Sequence, residues 1–214
     1  MIDMYRMLTD PLTSGTHRWK KTFPRITLLQ KHFPFNNATS PLPVKPNMEN
    51  YLKMDKSDKD NVKRLLEIVN GFIKNTTSII TGGDYAYNKF LRESKIMADK
   101  RIGKKYKLLE IIDYELISTN YRDDGKGIYN LLKREMPNDI TITEYYPFWQ
   151  FTGYSFEIKY KDHTLVNMTH YDRRCVPIKT IKLNAKDKVQ ICAYDYNFLI
   201  NLIMAFKWRV NMDN

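Results

Sequence analysis

The sequence contains few cysteines, no long apolar run and no cluster of metal-binding histidines. Its two cysteines, Cys175 and Cys192, cannot build a disulfide framework and fit a reducing compartment. The longest apolar stretch near the C-terminus, residues 198–206, is interrupted by Asn201 and is far shorter than a bilayer span, so we expect no transmembrane helix. The four histidines show no spacing that would place them around zinc.

The N-terminus also lacks the basic segment and apolar core of a secretory signal peptide. We therefore expect an intracellular, non-secreted protein without a membrane partner. With 214 residues, of which 43% are hydrophobic and 28% charged, the chain can bury one good core and is globular rather than disordered.

Basic residues outnumber acidic ones. The 35 Lys and Arg residues against 24 Asp and Glu residues give a formal net charge of +11. A surface of this charge favours a polyanionic partner, and nucleic acid is the first candidate. The alternative is a basic soluble protein with no such partner. The abundance of Lys, Asn, Ile and Tyr is typical of AT-rich coding DNA, as in some large viruses or organelles.

A glycine pair between an apolar β run and a helical pattern is the first part of the most informative motif. Gly82 and Gly83 follow residues 79–81 and precede a helix predicted from about Asp84. Glycines let backbone N–H groups come close to phosphates, and the positive end of the helix would point at them. The alternative is an ordinary turn in which Asp84 caps the helix.

The second part is a β run, about Lys107 to Ser118, that carries two carboxylates one residue apart. Side chains alternate along a strand, so Asp113 and Glu115 are expected on one face, about 7 Å apart. Oxygen atoms held in this way suit Mg²⁺, which takes carboxylates together with nucleotide phosphates. The alternative is that the two carboxylates lie on a solvent-exposed edge of the sheet and do not bind a metal ion. The order of glycine pair and then acidic strand is that of a nucleotidyltransferase.

The predicted elements follow the order αβαβαβββα, which indicates an α/β (α+β) fold with a mixed β-sheet flanked by helices. We place a nucleotidyltransferase-like domain at residues 57–214. Its first helix begins at a capping box of Ser57 and Asp60, residues 123–125 form a turn, and residues 161–163 connect a hairpin.

Residues 1–56 are predicted to be a basic and aromatic arm with a Pro-rich linker. The spacing of the prolines favours an extended segment over a helix. Basic groups interleaved with aromatic ones suit phosphates and stacked bases of RNA. The alternative is an arm whose aromatic side chains pack on the main domain.

Four short motifs carry a resemblance to a known family. They are Gly82-Gly83 followed by Ala86-Tyr87-Asn88, Ile112-Asp113-Tyr114-Glu115 with Ser118, Phe151-Thr152-Gly153-Tyr154, and Leu165-Val166-Asn167-Met168-Thr169. Over roughly residues 60–210 the chain resembles the poly(A) polymerases of large nucleocytoplasmic DNA viruses, which are polymerase-β-type nucleotidyltransferases.

This resemblance implies a catalytic domain that binds ATP as substrate and Mg²⁺ (or Mn²⁺) as cofactor and extends the 3′ end of RNA. It implies that Gly82, Gly83 and Asn88 bind the nucleotide, and that Asp113 and Glu115 bind the metal ions. For a viral protein, the implied location is the cytoplasm of an infected cell or the virion.

The chain departs from the family at the third catalytic position. The family uses three carboxylates to bind two metal ions. One ion activates the RNA 3′-hydroxyl, and the other stabilises the triphosphate leaving group. The first is matched by Asp113, and Glu115 is one methylene longer than the family's Asp. The third position is occupied by Asn167, whose amide side chain carries no charge. The absence of the carboxylate is either a natural loss or an introduced substitution. Asp172 lies beyond the strand and is a poor replacement.

The viral enzymes are also longer. The chain is therefore expected to be a fragment, a minimal relative, or a subunit that borrows RNA-binding surface from a protein partner or by self-association. Two main hypotheses follow: an active polymerase, or a catalytically degenerate nucleotidyltransferase fold that acts as a structural or RNA-binding subunit. A small-molecule nucleotidyltransferase shares the acidic strand, but the basic charge disfavours it.

Deletion of residues 1–45 is expected to leave the main domain folded and to weaken binding of RNA or a protein partner, because it removes several cations beside aromatic groups. Thermal unfolding and RNA titration measure the two effects. Loss of the cooperative transition would show instead that the arm is part of the core.

Overall fold

A computed structural model describes residues 19–32, 46–94, 106–146, 153–171, 178–182, 188–194, 196–198 and 201. The chain divides into two compact units, residues 1–43 and 44–214. In the first unit the described part is helix α1 (Trp19–His32). Asp172, the Phe151-Thr152 part of one motif and the predicted final helix beyond residue 201 lie outside the described residues.

The second unit contains a seven-stranded mixed sheet and four helices with defined bounds among its described residues. In chain order its elements are α2 (Pro46–Lys53), α3 (Lys56–Lys74), β1 (Ile79–Thr81), α4 (Gly83–Glu93), β2 (Tyr114–Ser118), α5 (Tyr121–Glu135), β3 (Ile140–Tyr145), β4 (Ser155–Tyr160), β5 (His163–His170), β6 (Ile178–Lys182) and β7 (Lys188–Cys192). The strand order is β3-β4-β5-β2-β1-β7-β6. The predicted fold class is confirmed.

The centre of the sheet combines both pairing directions. Strand β2 runs parallel to β5 and antiparallel to β1, and β1 runs parallel to β7. The other pairs, β3 with β4, β4 with β5 and β6 with β7, are antiparallel. The β4–β5 hairpin was predicted, and its connection contains Lys161 at a positive φ of 52°.

The core contains residues of one sheet face and of helices α3 and α5. Helix α3 buries residues at helical spacing, namely Val62, Leu65, Leu66, Val69 and Ile73. They share one apolar cluster with Ile128 and Leu132 of α5 and with Leu116 and Met168, which are register partners in β2 and β5. Since side chains alternate along a strand, Glu115 and Asn167 lie on the opposite face.

Helix α1 lies in the predicted arm, and helix α2 begins at the last proline of the Pro-rich linker, where an extended segment was predicted. Pro24 lies inside α1, where it removes one backbone hydrogen bond, but burial of Ile26 to 3% exposure offsets that loss. Pro46 is the first residue of α2, where its missing N–H group costs nothing. Because the two units divide after residue 43, α2 belongs to the second unit, although the sequence analysis placed it in the linker.

The predicted turn at residues 123–125 is wrong, because these residues lie in the first turns of α5. Asp124 accepts hydrogen bonds from the hydroxyls of Ser78, at 2.6 Å, and Ser118, at 2.5 Å, and acidic residues suit a helix N-terminus. Gly125 is required by packing rather than by a turn, since a Cβ there would lie 2.5 Å from the ring of Phe156.

Helix α3 begins slightly earlier than predicted. Its N-cap is Asp55, whose carboxylate accepts a hydrogen bond of 2.7 Å from the backbone N–H of Asp58, so the predicted cap at Ser57 is wrong by two residues. Among the described residues, no helix combines the length and apolar character needed to cross a membrane.

Gly125→Ala is expected to lower the free energy of unfolding by about 1–3 kcal/mol, because the new methyl group would displace the buried ring of Phe156. Gly71→Ala is the matched control, since nothing lies within 4 Å of a Cβ at this helical position, and it should raise stability by about 0.5–1 kcal/mol. Urea unfolding measures both changes. Equal effects of the two substitutions would contradict the packing role of Gly125.

Candidate functional site

The pairing of β2 brings together the glycine pair, Glu115 and Asn167. Glu115 is the register partner of Asn167 in β5. On its other side, the backbone N–H of Gly82 donates to the carbonyl oxygen of Glu115 at 2.7 Å. Three motifs that lie apart in the sequence therefore form one row across neighbouring strands.

Gly83 lies directly against the side chain of Glu115. Its φ is +59°, and a Cβ at this position would lie 2.9 Å from Cδ and 3.0 Å from Oε2 of Glu115. A residue with a side chain would therefore be strained in its backbone and would displace the carboxylate. The carboxylate lies at the first residue of α4, where the helix dipole favours negative charge.

The N–H groups of both glycines already have acceptors. Gly82 donates to Glu115, and Gly83 donates to Oδ1 of Asn197 at 2.7 Å, while Nδ2 of Asn197 donates back to the Gly83 carbonyl at 3.3 Å. Asn197 is buried. Binding of a phosphate by the N–H of Gly83 stays a prediction, and it would require the phosphate to replace the amide oxygen of Asn197.

Asp113 precedes β2 and is 7% exposed. Its Oδ2 accepts a hydrogen bond of 2.6 Å from Nδ2 of Asn47 in helix α2. The same amide group is held by the backbone of Thr164, since Nδ2 donates to its carbonyl at 2.9 Å and Oδ1 accepts from its N–H at 2.8 Å. Helix α2 therefore positions the first carboxylate of the predicted site.

A further carboxylate continues the row beyond Asn167. Glu157 in β4 is the other register partner of Asn167, so the amide lies between two acidic residues on neighbouring strands. Glu157 forms an ion pair with Lys159 at 3.1 Å and accepts a hydrogen bond from the Tyr145 hydroxyl at 3.1 Å. Burial, together with the charge of Glu157, raises the pKa of Tyr145.

Asn88 makes a two-point contact with the segment that leads to Asp113. Its Nδ2 donates to the carbonyl of Leu109 and its Oδ1 accepts from the N–H of Leu109, both at 2.8 Å. This contact connects α4 to the chain before β2. A role for Asn88 in binding nucleotide stays a prediction.

Cys192 completes the surroundings of the glycine pair. Its Sγ would lie 3.6 Å from a Cβ at Gly82, and burial, with a smaller effect of the Glu115 charge, raises its pKa to about 12. The thiol therefore stays protonated at neutral pH. Within the described part of the chain, no group of three or more His, Cys, Asp or Glu side chains is arranged to hold a metal ion.

Two residues of this site carried no sequence signal. Asn197 lies in the predicted final helix, where nothing distinguished it from its neighbours, and Asn47 lies in the predicted linker, 66 residues before Asp113. Both act through amide side chains that contact distant backbone groups, and such contacts have no fixed spacing along the chain.

Asn197→Ala is expected to lower the free energy of unfolding by about 1–3 kcal/mol, because it leaves the buried N–H of Gly83 without its acceptor. Asn201→Ala is the control, since Asn201 donates to the backbone oxygen of Asn197 and does not bond to Gly83. Urea unfolding compares the two variants. A smaller loss for Asn197→Ala than for Asn201→Ala would show that the contact with Gly83 contributes little.

Comparison with known proteins gives consistent matches. The family model described as "APMV, Putative poly(A) polymerase, catalytic subunit, C-terminal" matches residues 43–212. The putative poly(A) polymerase catalytic subunit of Acanthamoeba polyphaga mimivirus is 30% identical over 233 residues, which cover 100% of this chain and 38% of that protein.

The crystal structure of the Megavirus polyadenylate synthase is similar, with a TM-score of 0.61 and 30% sequence identity over 99% of this chain and 40% of that chain. This chain thus spans about two fifths of the length of both relatives. Since the family model covers most of its residues, the chain belongs to the family of the C-terminal region of mimivirus-type poly(A) polymerase catalytic subunits.

Proposed function

We propose that the chain transfers AMP from ATP to RNA 3′ ends without a template, as a nucleotidyltransferase of the poly(A) polymerase type. The observation that carries this proposal is the row of Gly82, Glu115 and Asn167, with Asp113 directly before the strand that carries Glu115. Because both relatives are viral proteins, we propose the cytoplasm of an infected cell or the virion as the place of action.

In this proposal the residues of the chain bind and orient the substrates. Asp113 and Glu115 would hold a divalent ion, and Asn47 fixes the orientation of Asp113 through its contacts with Thr164. The positive end of α4, which begins at Gly83, would bind the ATP triphosphate. Mg²⁺ or Mn²⁺, when bound, supplies activation of the RNA 3′-hydroxyl and charge neutralisation on the triphosphate.

The donor atoms of the site fit a hard divalent ion. Mg²⁺ is commonly held by one or two carboxylates together with substrate phosphates, which matches Asp113 and Glu115. The amide oxygen of Asn167, in register with Glu115, is a third oxygen donor without charge. The site therefore suits one ion better than two.

A second candidate function is that of a catalytically degenerate domain, which supports polyadenylation in a larger assembly as a structural or RNA-binding subunit. It is favoured by the internal hydrogen bonds that occupy Gly82, Gly83 and one oxygen of Asp113, together with the neutral side chain of Asn167. In this role a protein partner, or a second copy of the chain, supplies further RNA-binding surface.

Primer extension tests the first candidate. The chain is incubated with ATP, an oligo(A) primer and either Mg²⁺ or Mn²⁺, and the primer length is measured. We expect Asp113→Asn and Glu115→Gln to lower the rate by about a hundredfold or more, because each removes a charged ligand with little change of shape. Asn167→Asp should raise the rate, since it restores the third carboxylate.

The same assay separates the two candidate functions. No extension by the original chain, followed by extension by the Asn167→Asp variant, would show an intact fold that lacks one ligand. No extension by either protein, with unchanged thermal transitions and retained RNA binding, would exclude catalysis and support the second candidate. Extension that survives Asp113→Asn would show that this carboxylate is not a metal ligand.

A further inference from the structure

The net positive charge is concentrated in one part of the sequence. Residues 11–48 contain no Asp or Glu. Their six basic residues are Arg18, Lys20, Lys21, Arg25, Lys31 and Lys45. Six cations and no acids give this segment a charge of +6, out of +11 for the whole chain.

Helix α1 presents most of these cations to solvent on one side. It buries Thr22 and Ile26, which are one turn apart, whereas Phe23 is 64% exposed. At 100° per residue, the exposed residues Lys20, Lys21, Arg25 and Lys31 fall within an arc of about 140° opposite Ile26. We call these four side chains the basic face of α1.

The shape and chemistry of the basic face suit an extended polyanion. From Lys20 to Lys31 it extends about 16 Å along the helix axis. Helix α1 itself carries no acidic residue, so its cations are not neutralised from within the helix. Phe23 lies at the flank of the face and offers an exposed ring on which an unpaired base can stack.

We propose that the basic face of α1, together with Phe23, is a docking surface for single-stranded RNA. Cations hold the phosphates, and the aromatic ring favours a single strand over a duplex, because the bases of a duplex are already stacked on one another. The choice of RNA among polyanions rests on the proposed role in polyadenylation. The residues of this surface belong to the first compact unit, whereas Asp113 and Glu115 belong to the second.

Two quadruple variants of the full chain with equal net charge test the proposal. The first changes the basic face: Lys20→Gln, Lys21→Gln, Arg25→Gln and Lys31→Gln. The control changes exposed lysines of the second unit: Lys56→Gln, Lys63→Gln, Lys126→Gln and Lys188→Gln. Glutamine has nearly the same helix propensity as lysine and arginine, so α1 should be retained, and circular dichroism checks the helix content.

Fluorescence anisotropy of a labelled single-stranded oligo(A) gives the affinity over a series of KCl concentrations. We expect the basic-face variant to flatten the slope of log K against log[KCl] by about 3, which corresponds to four lost phosphate contacts. The control variant should change the slope by less than about 1. Phe23→Ala should weaken binding about fivefold or more without changing the slope, because it removes stacking and no charge.

Equal losses of affinity and slope in the two quadruple variants would overturn the proposal, because the attraction would then come from net charge alone. Unlabelled competitors provide a second test. The proposal would also be overturned if duplex RNA, or vesicles containing phosphatidylserine, displaced the labelled oligo(A) as well as single-stranded RNA does. The Asp113→Asn, Glu115→Gln double variant should bind RNA as the original chain does. Absence of primer extension by the original chain, together with the expected RNA binding, would contradict the proposed catalysis and leave the RNA surface intact.

Discussion

The missing side chain at Gly83 is the constraint on which the candidate site depends. Because this residue has a positive φ and no Cβ, the carboxylate of Glu115 lies against the first residue of α4. The contact connects the start of α4 at Gly83 to strand β2, which begins at Tyr114, and the hydrogen bond from Gly82 to Glu115 fixes the register. The motif pair recognised in the sequence is thus one physical unit.

The carboxylate of Asp113 depends on a different part of the chain. Asp113 is oriented by Asn47, whose amide is held on both sides by the backbone of Thr164. This arrangement requires helix α2 to begin at Pro46 and β5 to begin beside it. Glu115 lies in β2 and Asp113 precedes that strand. The two carboxylates have separate neighbours, which are Gly83 for Glu115 and Asn47 for Asp113.

Periodicity and spacing predicted the sheet class, the hairpin and the place of Glu115, because each depends on side-chain alternation or turn chemistry within a short segment. They did not predict α2, since a Pro-rich segment gives no sign of the distant backbone that holds Asn47. The acidic and glycine pattern at residues 123–125 predicts a turn, whereas Gly125 is explained by its contact with the ring of Phe156 in β4. Rules based on short sequence segments fail at both places because the contacts that determine the structure are made by residues far away in the sequence.

The position of Asn167 limits the repulsion between the carboxylates of neighbouring strands. It lies between Glu115 and Glu157 on neighbouring strands, and adjacent strands are about 4.8 Å apart. An aspartate at this position would place three carboxylates side by side, and like charges opposite one another destabilise a sheet. Part of that repulsion is already relieved, because Glu157 is paired with Lys159. The neutral amide of Asn167 places no charge between the two carboxylates, which avoids this repulsion and stabilises the sheet.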